Sequence, residues 1–313
     1  MNPTLTEQLN FDVVQTELDD VFFPKFDELE ELPSLATSRS GNIFKVIDTT
    51  HAAYIEMLGK GSGLIPQIGE TTVLPTQTPS VRNKVTTYVL DYGTGIPLSK
   101  NFFDDNMHDV WAEFVRDFAD AARVTQDYLA FKVFRGAFST TLTSDGVSLV
   151  NASHVTISGL TVSNVGSGTV TSDNINTNVV TLMEQPNQAG VIRGNTGRIL
   201  LVPPALFKVA IEETQSALVS DNANNAINFF RSEMGLEPWF SPWMSAAVPD
   251  GTGSDTAWFL LARNHSIRKL LRQGVETALT PWQYSTNRSY NYQLNFRESY
   301  YALDYSGVYG NPS

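Results

Sequence analysis

"DDNMHDVWAEFVRDFADAARVTQDYLAFKVFRG", residues 104–136, is the stretch on which the fold turns. Met107, Val110, Trp111, Phe114, Val115, Phe118, Ala121, Ala122 and Val124 recur at spacings of three and four, and Tyr128, Leu129 and Phe131 continue the series. Such spacing puts apolar side chains on one side of an α-helix. Asp104 or Asp105 is placed to cap its start, and Gly136 stands where a helix stops. At about 1.5 Å per residue the helix is roughly 45 Å long, more than most globular helices reach. One apolar stripe of that length describes a beam lying on a sheet. The alternative is two helices with a kink near Ala130.

The segments before the helix read as strands. "NIFKVID" alternates, with Ile43, Lys45 and Ile47 on one face and Phe44 and Val46 on the other. "AAYIEML" and "NKVTTYVLDY" are β-branched and aromatic, as strands prefer. Between them lies "GKGSGLIPQIGETTVLPTQTPS", residues 59–80, with isolated apolar residues at Leu64, Ile65, Ile68, Val73 and Leu74. Its glycines lack the spacing of a phosphate-binding loop. Because twenty residues without regular structure are unusual inside a compact domain, the segment reads as the tip of a long hairpin covered by a neighbour. Ahead of these strands, residues 1–40 form an acidic arm. Phe22, Phe23 and Phe26 are too few to build a core, so they dock on this molecule or on another. An amphipathic helix is predicted over 26–32, stopped by Pro33; an acidic, partly disordered tail is the alternative.

After the helix, "LTSDGVSLVNASHVT", residues 142–156, combines an Asp-Gly turn, a short apolar run and His154. A helix is predicted at about 174–185 with Asp173 as its cap. "GRILLVPPALFKVAIEETQSALVS" is a buried strand, a Pro-Pro break and an amphipathic helix, with Pro204 near its first position. "EPWFSPWM" and "TAWFLLA" are apolar strands. In "SYNYQLNFRESYYALDYSGVYG", Tyr290, Tyr292, Leu294 and Phe296 alternate with polar residues, as in a strand with one buried face.

Composition narrows the function. A net charge of −12 over 313 residues argues against a protein that grips phosphate backbones. With no cysteine there is neither disulfide nor thiolate metal site. Charged residues make up only 17%, as suits a surface covered by sister subunits. The N-terminus has no apolar signal-peptide core, and no apolar run approaches the roughly 20 residues that cross a bilayer. His51, His108, His154 and His265 show no metal-ligand spacing, and no nucleophile elbow or dinucleotide fingerprint is present. The one basic cluster, "ARNHSIRKLLRQG" at 262–274, includes Arg268 and Arg272 and is read as amphipathic, meeting acidic patches on a neighbour or covering the exposed, solvated face of a helix. No cofactor, metal or catalytic residue is expected.

The order of pieces resembles the major capsid protein of tailed bacteriophages, the HK97-like fold. "DGVSLVNASH" is similar to a D-G-x-x-L-x-x-x-x-H segment of part of that family, and "RILLVPPALFKVA" to the strand–Pro–helix entry of its axial domain. The resemblance implies an α+β architecture: N-terminal arm 1–40, strand 41–53, extended β-hairpin loop 54–90, peripheral domain 91–172 with spine helix 104–136, axial domain 173–287, and a C-terminal strand 288–313 returning to the peripheral domain. It implies a shell of pentamers and hexamers around double-stranded phage DNA, found in the virion and made in the host bacterial cytoplasm. The partners implied are further copies of the chain, a separate scaffolding protein with no cleaved leader, a portal protein and packaged DNA. Inter-subunit contacts are expected at Phe22, Phe23, Phe26, Leu64, Ile65, Ile68, Val73, Leu74, Arg268 and Arg272. The rival readings are an encapsulin-type compartment and a hydrolase using His154 with Asp145; on the first reading His154 is structural.

Overall fold

A computed structural model describes residues 5–30, 43–68, 70, 73–77, 80–99, 101, 108–217, 227–280 and 289–312. The arm is helical over a far longer span than 26–32: α1 runs Leu5–Glu30. Val14, Leu18, Phe22 and Phe26 recur every four residues, and that stripe packs on the long helix and the main sheet. Pro24 falls on the exposed side of α1, where its missing amide faces water.

β1 (Lys45–Asp48) is an edge strand, and Ile43 and Phe44 before it are both buried rather than divided between two faces. β2 (Ala53–Gly59) and β3 (Val81–Tyr88) pair antiparallel as the expected hairpin. "NKVTTYVLDY" is not one strand: it breaks at Val89, and β4 (Leu90–Ser99) joins a different sheet.

The long stripe forms a single unbroken helix, α2, His108–Arg135. Residues 104 and 105, the expected caps, lie outside the described residues. Along its first half Val115, Phe118, Ala119 and Ala122 meet Tyr292, Leu294 and Phe296 of the sheet together with the stripe of α1. Along its second half Ala130, Phe131, Val133 and Phe134 sit in another core with Phe44, Leu149, Phe259 and Leu261. One helix therefore ties two hydrophobic cores. Its C-terminal end is pinned by Arg135, which is ion-paired with Asp250 at 3.1 Å and donates to the Trp243 carbonyl at 2.9 Å.

Beyond it come the two-residue strands β5 (His154–Val155) and β6 (Thr161–Val162), then α3 (Ser172–Glu184). The cap of α3 is Thr171, not Asp173: the Thr171 hydroxyl accepts from the Asn174 amide, as a residue just outside a helix can. β7 (Gly197–Val202) leads through Pro203 into α4 (Pro204–Gln215), with Pro204 at the first turn as expected. After a short π-helical turn, β8 (Glu237–Phe240) and β9 (Trp258–Ala262) complete the apolar strands.

The basic segment 262–274 is not a helix. It opens β10 (Ile267–Thr280), which pairs antiparallel with β11 (Ser289–Ala302). The closing strand also divides: at Gly307, with φ +79°, the chain turns into β12 (Val308–Asn311). Any side chain on Gly307 would meet the His265 backbone, its Cβ lying 2.9 Å from Cα, so glycine is required there on two counts.

Two four-stranded sheets result, in the orders β1-β10-β11-β4 and β12-β9-β7-β8. In the second, alternation explains why whole runs are apolar. Ile199, Leu201, Phe259 and Leu261 face the core of α2, while Leu200, Val202, Trp258 and Leu260 face α3, α4 and Met234. A strand covered on both faces has no polar side.

Charges are buried where α2 crosses the first sheet. Glu298 is fully buried and pairs with Lys269 at 2.8 Å, also accepting from Gln126 Nε2 and the Tyr300 hydroxyl. Burial pushes the neighbouring Asp127 carboxyl up to about 7, against the pull of Arg123 and Lys269.

Candidate functional site

Among the described residues the most exposed large apolar side chains, Ile65 and Val73, lie on the hairpin. One face of β2 and β3 is anchored. Tyr54, Leu58 and Val85 pack on Val89, Leu270, Tyr301 and Leu303, and the Tyr301 hydroxyl donates to Glu56 at 2.6 Å. The other face presents Ile55 and Met57 to solvent. Towards the tip the limbs stay linked by Lys60 N–H to the Ser80 carbonyl at 2.9 Å and Gly63 N–H to Gln77 Oε1 at 3.1 Å. There Leu64 is 78% exposed, Ile65 89%, Ile68 47%, Val73 88% and Leu74 71%. Single exposed apolar residues are ordinary, but a contiguous set on one projection marks a contact surface.

The arm behaves differently. Phe22 is fully buried and Phe26 nearly so, packed edge-on or stacked with Phe118, Tyr292 and each other inside the chain's own core; Phe23 alone of the three is exposed. Arg268 is likewise held within the chain, 3.6 Å from Glu56 at the hairpin base. Arg272 falls at the irregularity between the Leu271–Glu298 and Gln273–Arg297 pairs and is half-buried. Ile55 and Met57 escaped sequence reasoning, although the alternation of β2 would have put them together on one face.

Asp145 and His154 are brought together. The Asp145-Gly146 turn has Gly146 at φ +81° and is closed by Gly146 N–H to the Thr143 carbonyl at 2.9 Å. Asp145 Oδ1 accepts from Thr143 Oγ1 and Val147 N–H, and Oδ2 lies 2.7 Å from His154 Nδ1. Burial works to raise the Asp145 carboxyl, but the hydrogen bonds from His154 and Thr143 outweigh it and hold it below the ordinary value. An ionised carboxylate only accepts, so Nδ1 carries the proton and donates. The imidazole stacks on Tyr305 with ring centroids 4.4 Å apart, and its side chain has no exposure to solvent.

That geometry locks the loop after α2 to the turn before β12. Asp145→Ala should lower unfolding stability by about 1–3 kcal/mol at pH 7, because the buried imidazole loses its partner. The contribution of a depressed carboxylate is complete above the ordinary carboxylate range and fades as pH falls through its folded value. Denaturant titration at pH 7 giving equal midpoints for variant and parent would contradict this role.

A helix lying across one sheet, a second sheet buried on both faces and a projecting hairpin together make the HK97-like capsid fold. Solved capsids share it. The capsid of the native GTA particle aligns over 90% of both chains with TM-score 0.55 and 14% identity. That of cyanophage P-SCSP1u covers 86% of this chain and 85% of its own, with TM-score 0.55 and 10% identity. The virus-like particle from Pyrococcus furiosus covers 95% and 98%, with TM-score 0.54 and 5% identity. No curated protein matches by sequence. The family model for phage capsid proteins matches residues 83–309, and the chain belongs to that family. It is a major capsid shell protein.

Proposed function

We propose that this chain assembles as pentamers and hexamers into an icosahedral shell that encloses double-stranded phage DNA, with a separate scaffolding protein and a portal as assembly partners. The observation that carries the reading is the contiguous exposed apolar set Leu64, Ile65, Val73 and Leu74 on the projecting hairpin. Phe23 and the tip residues Leu64, Ile65, Ile68, Val73 and Leu74 are the proposed inter-subunit contacts. In this reading 1–40 is the arm, 54–90 the extended loop, 91–172 the peripheral domain and 173–287 the axial domain. A structural role is the one this reading assigns: the Asp145–His154 pair is enclosed and joins two loops. The acidic balance of −12 suits a container that must release its DNA.

Negative-stain electron microscopy of the purified full chain, with sedimentation, tests this. Closed shells are expected, and a monomer that persists at high concentration defeats it. The likeness to the Pyrococcus furiosus virus-like particle favours, as a second reading, a compartment of encapsulin type. Particles from producing cells that protect DNA from nuclease support the phage reading; particles holding protein and no DNA support the other.

A further inference from the structure

Where the outer end of β2 passes the loops before β7 and after β9 lies a cleft of about 700 Å3 whose walls are basic. Lys60 comes from the end of β2, Arg193 and Arg198 from the approach to β7 and its start, and Arg263 from the turn after β9. Asp304 is the one carboxylate among the lining residues, and it already accepts from Gln188 Nε2 at 3.1 Å and the Tyr305 amide at 2.9 Å. Arg198 is oriented by donating to the Met234 carbonyl at 3.2 Å. Arg193 and Arg263 are exposed, and neither forms an ion pair among the described residues. In a chain with 21 basic residues against 33 acidic ones, four cations converging on one cleft need an anionic occupant.

The chain carries a matching surface. Glu17, Asp20 and Asp27 are exposed on α1, and spacings of three and seven put them on one helical face. The helix is fixed where it lies: Asp19 accepts from the Thr277 and Tyr292 hydroxyls, each at 2.7 Å. Thr277 is ten residues along β10 from Ile267, whose neighbour Ser266 lines the cleft. At about 3.3 Å per strand residue the two surfaces are roughly 33 Å apart, so a molecule cannot insert its own acidic face into its own cleft. We propose that the cleft receives the acidic face of α1 from a second copy of this chain. Two different patches meeting head to tail is the contact type that closes rings and shells. The inference rests on the shell-forming reading and adds to it a specific, charge-matched joint.

The test uses the full chain at low salt, where such pairing is least screened. Arg193→Glu with Arg263→Glu, and separately Asp20→Lys with Asp27→Lys, should each lower the yield of sedimenting shells by about tenfold, because like charges then face each other. All four residues are exposed, so circular dichroism should report an unchanged fold. Combining the two pairs restores the attraction in reverse and should recover most of the yield. Wild-type yield from the Arg193→Glu/Arg263→Glu chain overturns the proposal, as does a combined variant no better than that chain alone. Normal shells that have merely lost nucleic acid would assign the cleft to phosphate and also overturn it. Failure of the unaltered chain to form any shell is a failure of the shell reading itself.

Discussion

A chain carrying Ile65→Asp and Val73→Asp should fold with an unchanged thermal midpoint and form no shells under conditions where the parent does. Both side chains are almost wholly exposed, so neither contributes to the core of the isolated subunit. If a neighbour covers them, each is worth about 1.5–3 kcal/mol of buried apolar surface, and a carboxylate in its place adds the cost of burying a charge. Losing two such contacts raises the concentration needed for assembly by at least about 100-fold, since each 1.4 kcal/mol is tenfold. Every subunit repeats the defect, so closure suffers more than any single contact. Sedimentation across a concentration series reads the effect. Shells of the double variant at the parental threshold would show that the tip is not a contact.

The arm predicts the opposite pattern. Phe22→Ala should cost about 3–5 kcal/mol of subunit stability, the usual toll for emptying a buried aromatic site. Phe22 has no solvent exposure and touches Phe26, Phe118 and Tyr292, so its removal leaves a hole between α1, α2 and β11. Phe23→Ala, one residue on and exposed, should stay within about 1 kcal/mol of the parent. Chemical unfolding of the two variants at a concentration below assembly makes the comparison. Equal, small losses would mean that α1 does not pack on its own α2 in the free subunit, as when arms are exchanged between copies.

Much of this architecture was legible because its signals are local. The three-and-four spacing of 107–131 fixes α2 whatever lies beneath it. The alternation of Tyr290, Tyr292, Leu294 and Phe296 fixes one face of β11, and the Pro-Pro break fixes where β7 ends and α4 begins. The misreadings share a cause. "IRKLLRQ" has its apolar residues at helical spacing, Ile267, Leu270 and Leu271, and only pairing with β11 makes it a strand. "NKVTTYVLDY" looks like one strand because nothing in "VLDY" announces that its two halves join different sheets. The helix of the arm was missed over Leu5–Lys25 because its stripe is one residue wide and interrupted by acids.

The candidate surfaces divide in the same way. Sequence alone supplied the greasy hairpin tip, since isolated apolar residues in a Gly- and Pro-rich stretch have no local partner to bury them. It also paired Asp145 with His154 in one segment. Which apolar residues stay uncovered was decided only in three dimensions: Phe22 and Phe26 join the cluster of Tyr292, some 270 positions further along the chain, and the tip residues stay exposed. The basic cleft is wholly tertiary, because Lys60, Arg193 and Arg263 come from three separate segments. Periodicity records what one element needs from its surroundings; the surroundings themselves are set by pairings between distant segments.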